Sequence, residues 1–548
     1  MEFMSIDGLL KTKSMGFHPG RLMKEKEGFR YIILLGFGLL VMTFFLILEW
    51  NKTSGIWGVP LDDSWIHYRF ADNLRNGQGF AFNPGQPTPG STSPLWVVLL
   101  SIIDFGYLIP SKIIGILAYL ATAILVYRLG RLFHMRWYYA MFAGAATLAA
   151  GRLAWAAPSG METTAFTLFT IVALWTWVRS PRTEIPWYTS LFIGLSCLLR
   201  PEGYLFFVLS CIVWLVEIRG EIGWQRGSRE LVKHIIIVGV LIAPYFIFSW
   251  NTTGRILPNT FYAKRTAWDC HPSLAYFGWL GAVFWLDNIV LTSLSLIGVT
   301  WILRSGYWRI KRGLLLNCLW VLVLPVAYSV ISPCITGYYT RYTTPLIPMV
   351  MILGAFGGQE LEAWIRIRYR RKMQDSSRLI RRSRIVRLVI LEGIVLAMIP
   401  ILVFWAPLFA QTVADIKMMH VEIGNLLARE TNVDDVIALN DIGAIGYISD
   451  REVIDLMGLI SPDAIEFVEG VKPGEWDDGL AIFINEKQPA YLVVFPNWFP
   501  KMIGLLPTEQ VYSISLPERT IAGLPGLAGV GGGEMVVYRL NWPESEFP

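Results

Sequence analysis

Nearly unbroken apolar runs recur along this chain, the first from Tyr31 to Trp50, and no other feature of the sequence limits its fold as strongly. Each run holds roughly 15 to 25 residues, close to the ~20 that carry a helix across a ~30 Å hydrocarbon core. Of the 548 residues, 54% are hydrophobic and 16% charged. A water-soluble domain has no interior large enough for that much apolar surface, so lipid must be part of the solvent. Spanning helices are expected near 31–50, 111–128, 137–150, 161–178, 186–199, 203–217, 235–250, 277–303, 314–331, 345–357 and 388–409. These give an all-α polytopic membrane domain of about 11 transmembrane helices over 31–409.

Basic residues orient the helices. Cytoplasmic loops retain Lys and Arg during insertion, and the segments this arrangement places inside hold roughly three times as many as the outward short loops. The N-terminal 1–30 segment, with Lys11, Lys13, Arg21, Lys24, Lys26 and Arg30, is therefore expected in the cytoplasm, ahead of an uncleaved first helix. The run from Arg366 to Arg387 reads as a topology-setting loop that touches anionic lipid, and no nucleic-acid partner is expected. The apolar stretch from Ser93 to Ile109 carries Asp104. Counting it as a span would reverse the charge pattern, so it is expected to lie at the outer interface or re-enter the membrane. Residues 410–548 mix polar and short apolar stretches such as Val436–Leu439 and Tyr491–Phe495, and read as a soluble α/β domain on the extracytoplasmic side. Cys197, Cys211 and Cys318 lie in apolar runs. Cys270 and Cys334 fall in outward loops, where an oxidising compartment permits a bridge.

The outer loop 51–110 is the candidate catalytic segment. It presents Asp62-Asp63, then His67, Arg69 and Asp72, among aromatic and turn residues just above the membrane, where ionisable groups are usually functional or paired. Adjacent carboxylates repel, which raises one pKa and invites a cation. They also point in different directions, by about 100° on a helix, so they are expected to do different work.

Several motifs follow in order: Tyr68-Arg69-Phe70-Ala71, then Gly77 to Gly85 (GQGFAFNPG), then Thr92-Ser93-Pro94-Leu95-Trp96. Ser159-Gly160-Met161-Glu162-Thr163, Arg200-Pro201-Glu202-Gly203 and Leu257 to Lys264 (LPNTFYAK) come next. Asp441 to Tyr447 (DIGAIGY) and Val453 to Leu459 (VIDLMGL) close the series. This ordered set resembles the GT-C superfamily of polyprenyl-phosphate-sugar glycosyltransferases, and within it the terminal arabinofuranosyltransferase-like bacterial proteins. The resemblance implies a GT-C type fold in the cytoplasmic membrane and inverting transfer of a pentose or hexose at its outer face. The donor would be a polyprenyl-phosphate sugar, and the acceptor a glycan, lipid glycan or protein of the cell envelope.

The resemblance also implies one acidic residue as general base and its neighbour as a ligand for a divalent metal or the acceptor. Asp62 is assigned as base and Asp63 as metal or acceptor ligand. His67 sits four or five residues on and either is the third candidate ligand of a Mg or Mn ion, contacts the donor, or is simply hydrogen-bonded. Arg69 either grips phosphate or pairs with Asp72. Lys264 and Arg265, after Asn259 and Tyr262, are the preferred donor-phosphate site, because a basic pair in an outer loop runs against the charge bias. Arg200 and Glu202 either pair with each other or contact substrate, and Glu162 meets the N-terminal dipole of a helix. Tyr338 to Tyr342 offers aromatic faces for a sugar and a further guanidinium, Arg341, or else forms an interfacial aromatic belt. Asp441 reads as a structural turn. A secondary transporter or flippase is the alternative, and it would concentrate charges and broken helices near the bilayer midplane.

Overall fold

The computed structural model describes residues 21–217, 223–266, 272–331, 341–370, 376–468, 476–517 and 531–543, without the side chains of 21–26, 264–266, 369–370 and 376–383. Helices dominate, as they must where lipid leaves no water to satisfy backbone N–H and C=O groups. Six among the described residues are long and apolar enough to cross a membrane: Glu27–Lys52, Leu108–Leu132, Trp224–Thr253, Leu274–Ser305, Leu314–Ile331 and a run over Arg384–Glu430. Helices also stand at the other expected positions, Trp137–Leu148, Thr163–Arg179, Trp187–Leu199, Glu202–Glu217 and Ile347–Arg370. They are shorter or more polar, so the count of eleven spans is not established. Trp137–Leu148, at 12 residues, is only about 18 Å long.

Ser93–Ile109 does not form a spanning helix. The helix within it, Pro94–Ser101, has eight residues, about 12 Å, and cannot span. The last apolar run departs from expectation at its end. The helix continues through π-turns at Ile401–Trp405 and Lys417–Val421 to Glu430, well past residue 410.

Small residues bring the helices together. A Cβ on Gly354 or Gly357 would sit 2.1 Å from the carbonyl oxygens of Leu291 and Leu294, so Leu274–Ser305 and Ile347–Arg370 touch backbone to backbone. Charges inside the helical body are paired: Lys112 Nζ lies 2.8 Å from Glu49 Oε2, and Arg152 Nη2 lies 2.5 Å from Asp287 Oδ2. Leu274–Ser305 breaks beside that second pair, at Asn288, whose backbone is not helical.

Beyond the long helix lies a five-stranded sheet of order β2-β1-β3-β5-β4. Its strands are β1 (Val436–Leu439), β2 (Glu452–Asp455), β3 (Tyr491–Val494), β4 (Thr508–Ser515) and β5 (Glu534–Leu540). β1 is parallel to both β2 and β3, which suits its fully apolar sequence, while β3–β5 and β4–β5 are antiparallel. The helix Gly443–Ser449 joins β1 to β2, and Trp476–Lys487 lies between β2 and β3. Strand order therefore reverses at β1, whose carboxyl end is the place where α/β sheets form ligand crevices.

Candidate functional site

The acidic pair opens the helix Asp62–Arg75 of the first loop, which packs on the helix Gly443–Ser449 of the α/β domain. Aromatic rings seal that contact: Tyr447 lies 5.5 Å from Trp65 and 6.4 Å from Tyr68. The Asp62 carboxylate spans the junction, accepting from Gly443 N at 2.6 Å and Ala444 N at 2.7 Å. These are first-turn amides with no partner in their own helix, and a carboxylate there also meets the positive end of the dipole. The fit requires Gly443, because a Cβ would lie 2.1 Å from the Asp62 carbonyl oxygen.

Asp441, at the carboxyl end of β1, joins this site through His420, whose Nε2 is 2.9 Å from Asp441 Oδ2. Burial pushes the Asp62 carboxyl up to about 6; His420 opposes the rise, Asp441 adds to it, and the Ala444 and Gly443 amides oppose it. A carboxyl with a pKa near 6 is ionised at neutral pH yet basic enough to take a proton.

Asp63 turns away from its neighbour. It forms an ion pair with Arg341 and keeps 30% of its side chain exposed. Arg341 and Arg200 each lie 5.2 Å from the ring centre of Tyr342. Behind them Arg200 Nη1 donates to Glu162 Oε1 at 2.5 Å and Nη2 to Glu202 Oε1 at 2.8 Å, while Tyr328 donates to the same Glu202 oxygen. His67 completes the row, with Nε2 3.4 Å from Glu162 Oε2 and Nδ1 3.1 Å from Ser91 Oγ. Asp63, Arg341, Arg200, Glu162, Glu202 and His67 are thus brought together, and Glu162 serves Arg200 rather than only its helix.

Other candidates lie elsewhere. Arg69 pairs with Asp450 at 2.6 Å, not with Asp72, which accepts from Tyr107 and Asn76. Asn259 ties the first loop to the α/β domain, donating to Thr88 Oγ1 and Leu459 O. Tyr262 lies 4.9 Å beneath the Arg255 guanidinium. The Lys264 and Arg265 side chains, and Cys270 and Cys334, lie outside the described residues.

Asp62, Asp63 and His67 do not form a metal ligand set. They face backbone amides, a guanidinium and a Ser–Glu pair respectively, because successive helical residues diverge. Among the described residues no group of three or more His, Cys, Asp or Glu could hold an ion. Sequence reading missed His420, an isolated residue on a helix that was expected to end earlier. Asp441 reads from sequence as a structural turn after a strand, and its link to His420 was not foreseen.

Residues 410–538 match a family described as a domain of unknown function, DUF8728. No curated protein is similar enough to the chain to count as a relative. Among solved structures, ArnT from Cupriavidus metallidurans bound to undecaprenyl phosphate is similar over 92% of this chain and 98% of that one, with a TM-score of 0.55 and 13% identity. The apo form of the same protein is similar over 92% and 97%, again with a TM-score of 0.55 and 13% identity. The chain thus has the fold of ArnT: a polytopic helical membrane domain followed by a small α/β domain.

Proposed function

We propose that this protein is an inverting membrane glycosyltransferase that moves a sugar from a polyprenyl-phosphate donor to an envelope acceptor. The observation that carries this reading is the placement of Asp62 in the switch-point crevice of the α/β domain, within a fold whose ArnT example was solved holding undecaprenyl phosphate. The positive-inside bias supports a site on the outer face of the cytoplasmic membrane, with the N-terminus inside and residues 410–548 outside.

Asp62 is assigned as general base. A carboxylate has about four lone-pair positions, and the Gly443 and Ala444 amides use two, so the acceptor hydroxyl can approach an unused one. As the hydroxyl proton moves to Asp62, its oxygen bonds to the anomeric carbon. The bond from that carbon to the phosphate oxygen breaks, and polyprenyl phosphate leaves with the electron pair. Asp63 orients Arg341, whose five N–H donors suffice for the carboxylate and the departing phosphate together. Lys264 and Arg265 remain candidates for the same phosphate. The donor set does not fit a resident Mg or Mn ion, so no step here uses one.

A transporter of lipid-linked substrate draws support from the break at Asn288 beside the buried Arg152–Asp287 pair. One experiment separates the readings: sugar release from polyprenyl-phosphate donors by wild type, Asp62→Asn and Asp62→Ala. Loss of about 10²- to 10⁴-fold is expected from removal of a general base. Unchanged turnover in both variants would remove Asp62 from that role, and wild-type inactivity on every donor would favour transport.

A further inference from the structure

A cleft of about 410 Å³ opens at the far end of the Asp62–Arg75 helix, between the first loop and the α/β domain. Five amides line it. Asn73 is spent on Ala81 O and Phe82 O, Asn83 on both backbone groups of Val453, and Gln86 on Glu452, which leaves Asn76 and Gln78 at the exposed rim. Three carboxylates, Asp72, Asp450 and Glu452, and two guanidiniums, Arg69 and Arg451, complete its polar wall. Both guanidiniums are committed. Arg69 donates to Asp450 and Phe82 O, and Arg451 to the carbonyls of Ser449, Ala428 and Thr431 and the Thr431 hydroxyl.

Three carboxylates against two spoken-for cations make a poor site for phosphate or any polyanion. The rim amides Asn76 and Gln78 and the carboxylates suit a ligand that is uncharged and dense in hydroxyls: an amide both donates and accepts, and a carboxylate has about four lone-pair positions, more than its present partners use. The cleft also stands in line with the candidate base. Arg69 and Asn76 lie seven and fourteen residues beyond Asp62, roughly 10 to 20 Å along the helix axis.

We propose that this cleft is a subsite for a neutral glycan, the acceptor of the transfer, and that it holds sugar units remote from the hydroxyl presented to Asp62. The acceptor role rests on the glycosyltransferase reading; the glycan site does not. It narrows the acceptor to an uncharged chain of several sugars bound across the junction of loop and α/β domain.

The test uses the full-length protein in nanodiscs. Its probe is the neutral oligosaccharide fraction released from the envelope of the producing cell, with a heparin hexasaccharide as anionic comparison and undecaprenyl phosphate as a control for the donor side. Asn76→Ala/Gln78→Ala is the variant, since both residues are exposed at the rim and substitution leaves the helix packing alone. Expected are binding of the neutral fraction, little or none of heparin, and about tenfold weaker neutral binding in the variant. Undecaprenyl phosphate binding and thermal unfolding should match wild type. Preference for heparin, or equal neutral binding by both proteins, would overturn the subsite. So would absence of neutral binding in a protein that does turn over a donor, and that outcome would leave the glycosyltransferase reading standing. Neutral binding that is sensitive to the variant, in a protein inactive on every donor, would overturn the acceptor role and keep the glycan site.

Discussion

At the residue scale the central group is Asp62, and its raised pKa has two opposite consequences. In its proposed role as base it works only when ionised, so that proposal predicts kcat/KM rising with pH along a limb centred near 6. A pH–rate profile in which the limb sits near 4 would show the carboxyl to be unperturbed. For stability the sign reverses. The folded state holds this proton more tightly than the unfolded chain, whose carboxyl titrates near 3.8, so the contribution is full below about 4 and is lost as pH rises to about 6. Unfolding measured at pH 4 and 7 should show a larger loss in wild type than in Asp62→Asn, in which buried Asp455, raised to about 7, still contributes its own. That the two Asp residues diverge was legible from adjacency on a helix. Their partners were not, because Gly443 stands 381 residues from Asp62 and Arg341 278 from Asp63, and nothing local marks such contacts. The same blindness left Arg69 with only phosphate or the nearby Asp72 as candidate partners, when Asp450 holds it.

Among elements, the helix Gly443–Ser449 does most to build the site. Its first turn needs a residue without a side chain, so Gly443→Ala should push Asp62 and the loop helix outward. A cost of about 1–3 kcal/mol is expected for a forced methyl, read as a lower thermal unfolding temperature together with a fall in kcat. Full activity would show that the two helices do not need to touch. Apolar runs located the helices well, because hydropathy reflects the solvent around each segment rather than its neighbours. They misplaced the end of the last one. Residues beyond 410 are mixed in polarity, yet the backbone keeps its helix up to Glu430.

Over the whole molecule, loop and α/β domain are stitched reciprocally. Asn83 donates to Val453 O and accepts from Val453 N, both at 2.9 Å, while Gln86 donates to Glu452. Asn83→Ala strands both backbone groups of an edge strand and should cost about 1–3 kcal/mol. Limited proteolysis should then cut near β2 sooner than in wild type; an unchanged cleavage rate would mean that other contacts hold the domain. The overall fold class was readable in the sequence, but this seam was not, since it pairs segments made far apart. That separation sets an order in time. The loop bearing Asp62 leaves the ribosome early, and the amides that hold its carboxylate follow 381 residues later, roughly 20 to 80 s at ordinary synthesis rates. During that interval the Asp62 carboxylate lacks the amides that hold it in the finished protein, so the site cannot form before the α/β domain has been made.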